Sequence, residues 1–231
     1  MNNAFRNKAL ATRVFWPTLV VAGTVLSGCA STEPVAYSDI AASSRLAPNR
    51  DDRSGREPYA YAALTDWRQY RQVILEPVEI YRGADNQFVK ISEADKLRLT
   101  VYMRQQFAQK LGEVLNVTDQ PAPDAIRVKL ILTGARTTTA FLGTLSHFDL
   151  AGGAYNAVQG ARGKEGVLTG SVMYAVEIED AATGRLLSAY VAKQYPNAMN
   201  IKATFGPLGA SMAGVRKGAD DLARKLSRDG A

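Results

Sequence analysis

The stretch Val167–Glu179 alternates with a period of two. Val172, Tyr174, Val176 and Ile178 point one way, while Ser171, Met173, Ala175, Glu177 and Glu179 point the other. Asp180-Ala181-Ala182-Thr183-Gly184 reads as a turn, with Gly184 available for positive φ, and Arg185–Gln194 returns as the partner strand. A hairpin with one apolar side must bury that side against another layer. Two segments can supply the layer. Ser92-Glu93-Ala94-Asp95 is a capping signature. Leu97, Val101, Ala108, Leu111 and Leu115, with Phe107 and Val114 beside them, then predict a helix over Glu93–Leu115. Near the carboxyl end, Leu208, Met212, Val215, Ala219, Leu222 and Leu226 form a second apolar stripe. Opposite it, Arg216–Asp220, Lys217–Asp221, Asp220–Arg224 and Asp221–Lys225 are spaced as i,i+4 ion pairs. Tyr70–Tyr81 and Ile126–Leu132 read as further strands, Pro77 placing the first at an edge or a bulge. The expected fold is α+β: a mixed or antiparallel sheet of about four or five strands with two helices packed on one face.

The first thirty residues are a different kind of sequence. Arg6, Lys8 and Arg13 form a basic start without an acidic residue, and Val14–Leu26 is apolar but interrupted by Pro17. That stretch is shorter than the ~20 residues a membrane-spanning helix needs, so it reads as an export signal. Leu26-Ser27-Gly28-Cys29 resembles the lipobox of bacterial lipoprotein signal peptides. The resemblance implies a diacylglyceryl thioether on Cys29, cleavage by signal peptidase II after Leu26, Ser27 and Gly28, and acylation of the new amino terminus. Burial is worth ~0.8 kcal/mol per methylene, so three acyl chains would hold the protein on a bilayer permanently. Ala30, in place of an aspartate, implies sorting to the outer membrane.

The formal charge of +6 and pI near 9.4 invite a nucleic-acid reading. Half of that charge lies in the signal and leaves with it, so no nucleic-acid partner is expected. One Cys and one His exclude an internal disulfide, a Cys/His zinc site and a Cys-pair redox motif. The expected organisation is a signal peptide over 1–28, a lipidated tether over 29–57, and a single α+β domain over 58–231. The tether holds the mixed-charge run Arg50, Asp51, Asp52, Arg53, Arg56 and Glu57 and few large apolar residues. As a flexible coil it would span roughly 30 Å. Tyr37, Ile40 and Leu46 are the residues in it able to dock.

A glycine-rich insertion at 137–166 carries Phe141, Leu142, Leu145 and Phe148, with six glycines across Gly143–Gly166. Connections of that length inside a domain are commonly functional, and these four residues are the candidate partner contact; a short helix covering the core is the alternative. Chemistry is otherwise sparse. His147 has no Gly-x-Ser-x-Gly elbow to work with. Glu177 and Glu179 share one strand face about 7 Å apart, a spacing usable for acid/base work on glycans and equally that of solvated strand carboxylates. Gly160–Glu165 lacks the first glycine and the Ser/Thr of a phosphate loop. No catalytic set, cofactor or metal site is expected.

Several spaced segments carry a family resemblance. They are Tyr37-Ser38-Asp39, Asp66-Trp67-Arg68-Gln69-Tyr70, Leu75-Glu76-Pro77-Val78-Glu79-Ile80-Tyr81-Arg82-Gly83, Ser92-Glu93-Ala94-Asp95 and Glu177 to Gly184. In this order they resemble the bacterial lipoprotein family called domain of unknown function 3313. The resemblance implies an envelope lipoprotein and brings no activity or catalytic residues. The expected function is a lipid-anchored, outer-membrane, periplasm-facing module. Its partners would be membrane lipid through acylated Cys29, the lipoprotein processing and sorting machinery, and an envelope protein or polymer. The alternative is a periplasmic hydrolase of envelope glycan or peptide using Glu177, Glu179 or His147.

Overall fold

A computed structural model describes residues 33–137, 170–196 and 206–229. The chain divides into two units, Met1–Ala30 and Ser31–Ala231, and every described residue belongs to the second. In chain order the elements are β1 (Ala47–Pro48), β2 (Tyr59–Ala62), β3 (Gln72–Leu75), β4 (Glu79–Ile80), β5 (Gln87–Val89), α1 (Glu93–Leu111), β6 (Asn116–Val117), β7 (Ala125–Arg136), β8 (Ser171–Asp180), β9 (Leu186–Gln194) and α2 (Gly209–Asp229). Trp67–Gln69 makes a 3₁₀ turn before β3.

The fold is α+β, with two helices and a mixed sheet among the described residues. Strands run in the order β1-β2-β9-β8-β7-β3-β6, and β4 and β5 also pair with β7. The hairpin is β8–β9, antiparallel from Val172↔Gln194 to Glu179↔Leu186, with Gly184 at φ 70° in its turn. On the other side β7 runs antiparallel to β8, with a bulge between Leu132 and Gly134. The free edge of β7 is shared by three short parallel strands in succession: β3 from Ala125, β4 from Ile131 and β5 from Gly134. Pro77 lies in the break between β3 and β4, where its missing N–H is not asked to join a ladder. Nine strands stand among the described residues where about four or five were expected. Four of the nine have two or three residues, too few for alternation to be read from sequence.

One face of the sheet carries both helices. Ile126, Val128, Leu130 and Leu132 of β7, with Val172, Tyr174, Val176 and Ile178 of β8, form this core. Ser92 caps α1 by accepting the Asp95 N–H at 3.1 Å. The stripe α1 buries is Leu99, Met103, Phe107 and Leu111, all fully inaccessible. Leu97 and Val101, expected on that stripe, are 58% and 70% exposed. Both rows are apolar in the first turns, but the 97/101 row runs into Gln105 and Gln109, whereas the other continues through Phe107 and Leu111. The helix stops at Leu111 with Gly112 as its cap, short of Leu115.

The α2 stripe is as expected: Leu208, Val215, Ala219, Leu222 and Leu226 are buried, with Met212 packed against them. Two glycines set how closely α2 lies on the sheet. A Cβ on Gly214 would come 2.9 Å from the Gln194 carbonyl oxygen, and one on Gly218 would collide with the Tyr174 hydroxyl. Of the expected ion pairs, Lys217–Asp221 forms at 2.8 Å. Asp220 instead reaches Lys110 of α1 at 3.1 Å.

The opposite face carries Tyr81, Ile131, Ala175 and Val191, covered by Tyr37, Ile40, Leu46 and Tyr59. Residues 33–57, expected as tether, are therefore an arm packed on the sheet. Tyr37 is 2% exposed and Ala42 fully buried, and β2 extends the sheet beside β9. In the charge run, Arg56 stacks over the Tyr195 ring at 4.0 Å. The arm's apolar residues are few, but the face beneath is too apolar to be left in water, and its charged neighbours Lys129, Glu177 and Glu179 disguise this in the sequence.

Candidate functional site

Cys29, Leu26, Ser27, Gly28, Ala30, His147, Phe141, Leu142, Leu145 and Phe148 lie outside the described residues. The connection that carries the last four is rooted at the end of β7 and the start of β8, at Arg136 and Ser171. Glu177 and Glu179 are described, and they are not a solvated pair. Both sit in β8 on the arm-covered face. Glu177 is 1% exposed, and its Oε1 accepts the Ala42 N–H at 2.6 Å. Burial pushes its carboxyl above the usual range, opposed by that amide and by Lys129. Glu179 accepts from Lys129 at 3.0 Å, and on the neighbouring pair Arg127 holds Glu76 at 2.7 Å. The two carboxylates thus act differently: Glu177 fixes the arm, and Glu179 closes a cross-strand ion pair.

Between arm and sheet lies a cleft of about 490 Å³, lined by Asp39, Glu76, Glu79, Arg82, Lys129 and Glu177 among others. Its roof is pinned at Tyr81. The Tyr81 hydroxyl donates to Asp85 Oδ1 at 2.5 Å and accepts the Asp39 N–H at 3.1 Å. Asp85 Oδ2 takes the Ser38 N–H at 2.9 Å, and the Tyr37 and Tyr81 rings meet edge-on at 5.2 Å. The bond from Tyr81 holds the Asp85 carboxyl below the usual range. Carboxylates outnumber cations here, yet among the described residues no three His, Cys, Asp or Glu side chains are placed to hold a metal ion.

A second groove, about 520 Å³, opens at the end of the sheet where α1 and α2 finish, between Trp67, Arg68, Tyr70, Arg71, Glu113 and Leu226. Asp66 caps the Trp67–Gln69 turn through the Arg68 N–H. The Tyr70 hydroxyl donates to Asp180 Oδ2 at 2.8 Å, while Asp180 Oδ1 accepts from the amides of Ala182 and Thr183 in the hairpin turn. Burial and that carboxylate push the Tyr70 phenol up to about 12. This groove was not singled out from the sequence. Its signal was present in Asp66–Tyr70 and Asp180, two of the segments that carry the family resemblance.

Tyr37-Ser38-Asp39, Tyr81 and Glu177, distant in sequence, meet around one cleft. The family described as Protein of unknown function (DUF3313) matches residues 36–222. The chain belongs to this family. The DUF3313 match begins within the arm, at the residue before Tyr37, and ends in α2, so the arm is part of the family's domain. Comparison with curated proteins finds no relative. Among solved structures the DUF3313 chain is similar to the PelC dodecamer from Paraburkholderia phytofirmans, with 11% identity over 74% of this chain and 95% of that one, at a TM-score of 0.40. It is also similar to a hypothetical protein from Chlamydia trachomatis, with 10% identity over 69% of this chain and 98% of that one, at a TM-score of 0.33.

Proposed function

We propose that this DUF3313 protein is a lipid-anchored envelope lipoprotein of the outer membrane, facing the periplasm, and that it serves another envelope component as a non-enzymatic binding or accessory module. The observation that carries this reading is Leu26-Ser27-Gly28-Cys29, with the sole cysteine of the chain at the end of a basic-then-apolar leader. The engagement of Glu177 by the Ala42 amide and of Glu179 by Lys129 gives the two candidate carboxylates structural partners, which favours binding over hydrolysis. Among the described residues no helix is long and apolar enough to cross a membrane, so in this reading membrane attachment falls to the acyl chains.

Cys29→Ala is expected to abolish palmitate incorporation and to leave a precursor heavier by the uncleaved leader. A Cys29→Ala product of mature size, free of the membrane, would overturn the lipoprotein reading. Glu177→Gln combined with Glu179→Ala and His147→Ala is expected to leave envelope glycan and peptide turnover unchanged, and a lost hydrolase activity in a variant that keeps the parent unfolding midpoint would instead support the alternative.

A further inference from the structure

We infer that the end of the domain bearing Val35, Val89 and Lys90 is its bilayer-facing surface, the occupant being the membrane to which Cys29 is attached; this rests on the lipoprotein reading above. The first described residue, Glu33, is fixed to the fold. Its carbonyl oxygen accepts from Gln87 Nε2 at 2.7 Å, and its carboxylate lies 3.7 Å from Lys193 Nζ. Three residues lie between it and Cys29, and the four Cα-to-Cα steps reach at most about 14 Å.

Gln87 pairs with Gly134 and Val89 with Arg136, and Lys193 pairs with Met173. The point of attachment is therefore near the finish of β7 and β9, where β5 pairs with β7. Nine residue steps along β7, from Gly134 back to Ala125, place the opposite end, with the hairpin turn and the loop that carries Asp119, about 30 Å away. At the attached end Val35 and Val89 are exposed beside the exposed cation Lys90, a mixture suited to lipid headgroups. The Trp67–Arg71 groove lies at the far end and would face the periplasm.

The test uses the full lipoprotein purified from its own envelope and reconstituted into phosphatidylethanolamine/phosphatidylglycerol vesicles, some of whose headgroups carry a nitroxide. With Cys29 alkylated by lipid, an introduced cysteine is the sole free thiol for a fluorophore. Lys90→Cys is expected to lose most of its emission to the nitroxide, and Val35→Cys likewise, while Asp119→Cys keeps its emission. Equal quenching at all three positions, or stronger quenching at Asp119→Cys, in a protein whose intact mass includes the acyl chains would overturn the orientation alone. A mature mass without acyl chains, with Cys29 itself taking the fluorophore, would overturn the lipoprotein reading and the orientation with it.

Discussion

Glu177 shows how one side chain couples the arm to pH. Its carboxyl is raised by burial, so between the ordinary glutamate range and its value in the fold the native state holds more proton than the unfolded chain. Stability from this group therefore falls as pH rises through that window and is lowest above it. Glu57, raised mainly by burial, has the same sign. Glu177→Gln keeps an oxygen for the Ala42 N–H and removes the buried charge. Urea unfolding across this pH range is expected to show a flatter decline for Glu177→Gln than for the parent. Glu177→Ala, which leaves the buried amide unpaired, should lose about 1–3 kcal/mol at low pH as well. A steeper slope in the Gln variant would contradict this account. From sequence only the facing of Glu177 was legible, because the atom that meets it is the backbone amide of a residue in a segment without strand or helix periodicity.

At the scale of elements, the hairpin and the buried stripe of α2 were legible, since each repeats its own period over several turns or pairs. The α1 stripe was misplaced because two apolar rows compete in its first turns, and only the continuation through Phe107 and Leu111 decides between them. The short strands were invisible for a different reason: β3, β4 and β5 are defined by the edge of β7 they complete, not by their own pattern. The same dependence on a partner surface makes Gly214 and Gly218 important. Gly218 sits over the Tyr174 hydroxyl and Gly214 against the backbone at Gln194. Although alanine is the better helix former by about 1 kcal/mol, Gly218→Ala is expected to destabilise the protein by about 1–3 kcal/mol through overpacking. Thermal unfolding measures it, and a stabilised Gly218→Ala would show that α2 is not held at contact distance.

For the whole molecule, the boundary expected at residue 58 divides one folded body. A chain starting at Glu33 is expected to unfold cooperatively with the parent midpoint. One starting at Pro58 would uncover Tyr81, Ile131, Ala175 and Val191, and should show a lower midpoint and concentration-dependent association. Equal midpoints would mean that the arm contributes nothing. The pairing of β2 with β9, Tyr59 against Val191, has a further consequence in time. These partners lie more than half the chain apart, and closing a loop of that length is slow before any contact rewards it. A chain delivered amino terminus first would present the arm and β2 earliest, and β2 could pair with β9 only after β9 has been made. Until then Tyr59–Ala62 has β1 on one edge and nothing to pair with on the other. In that interval the nascent protein is most exposed to pairing with another chain.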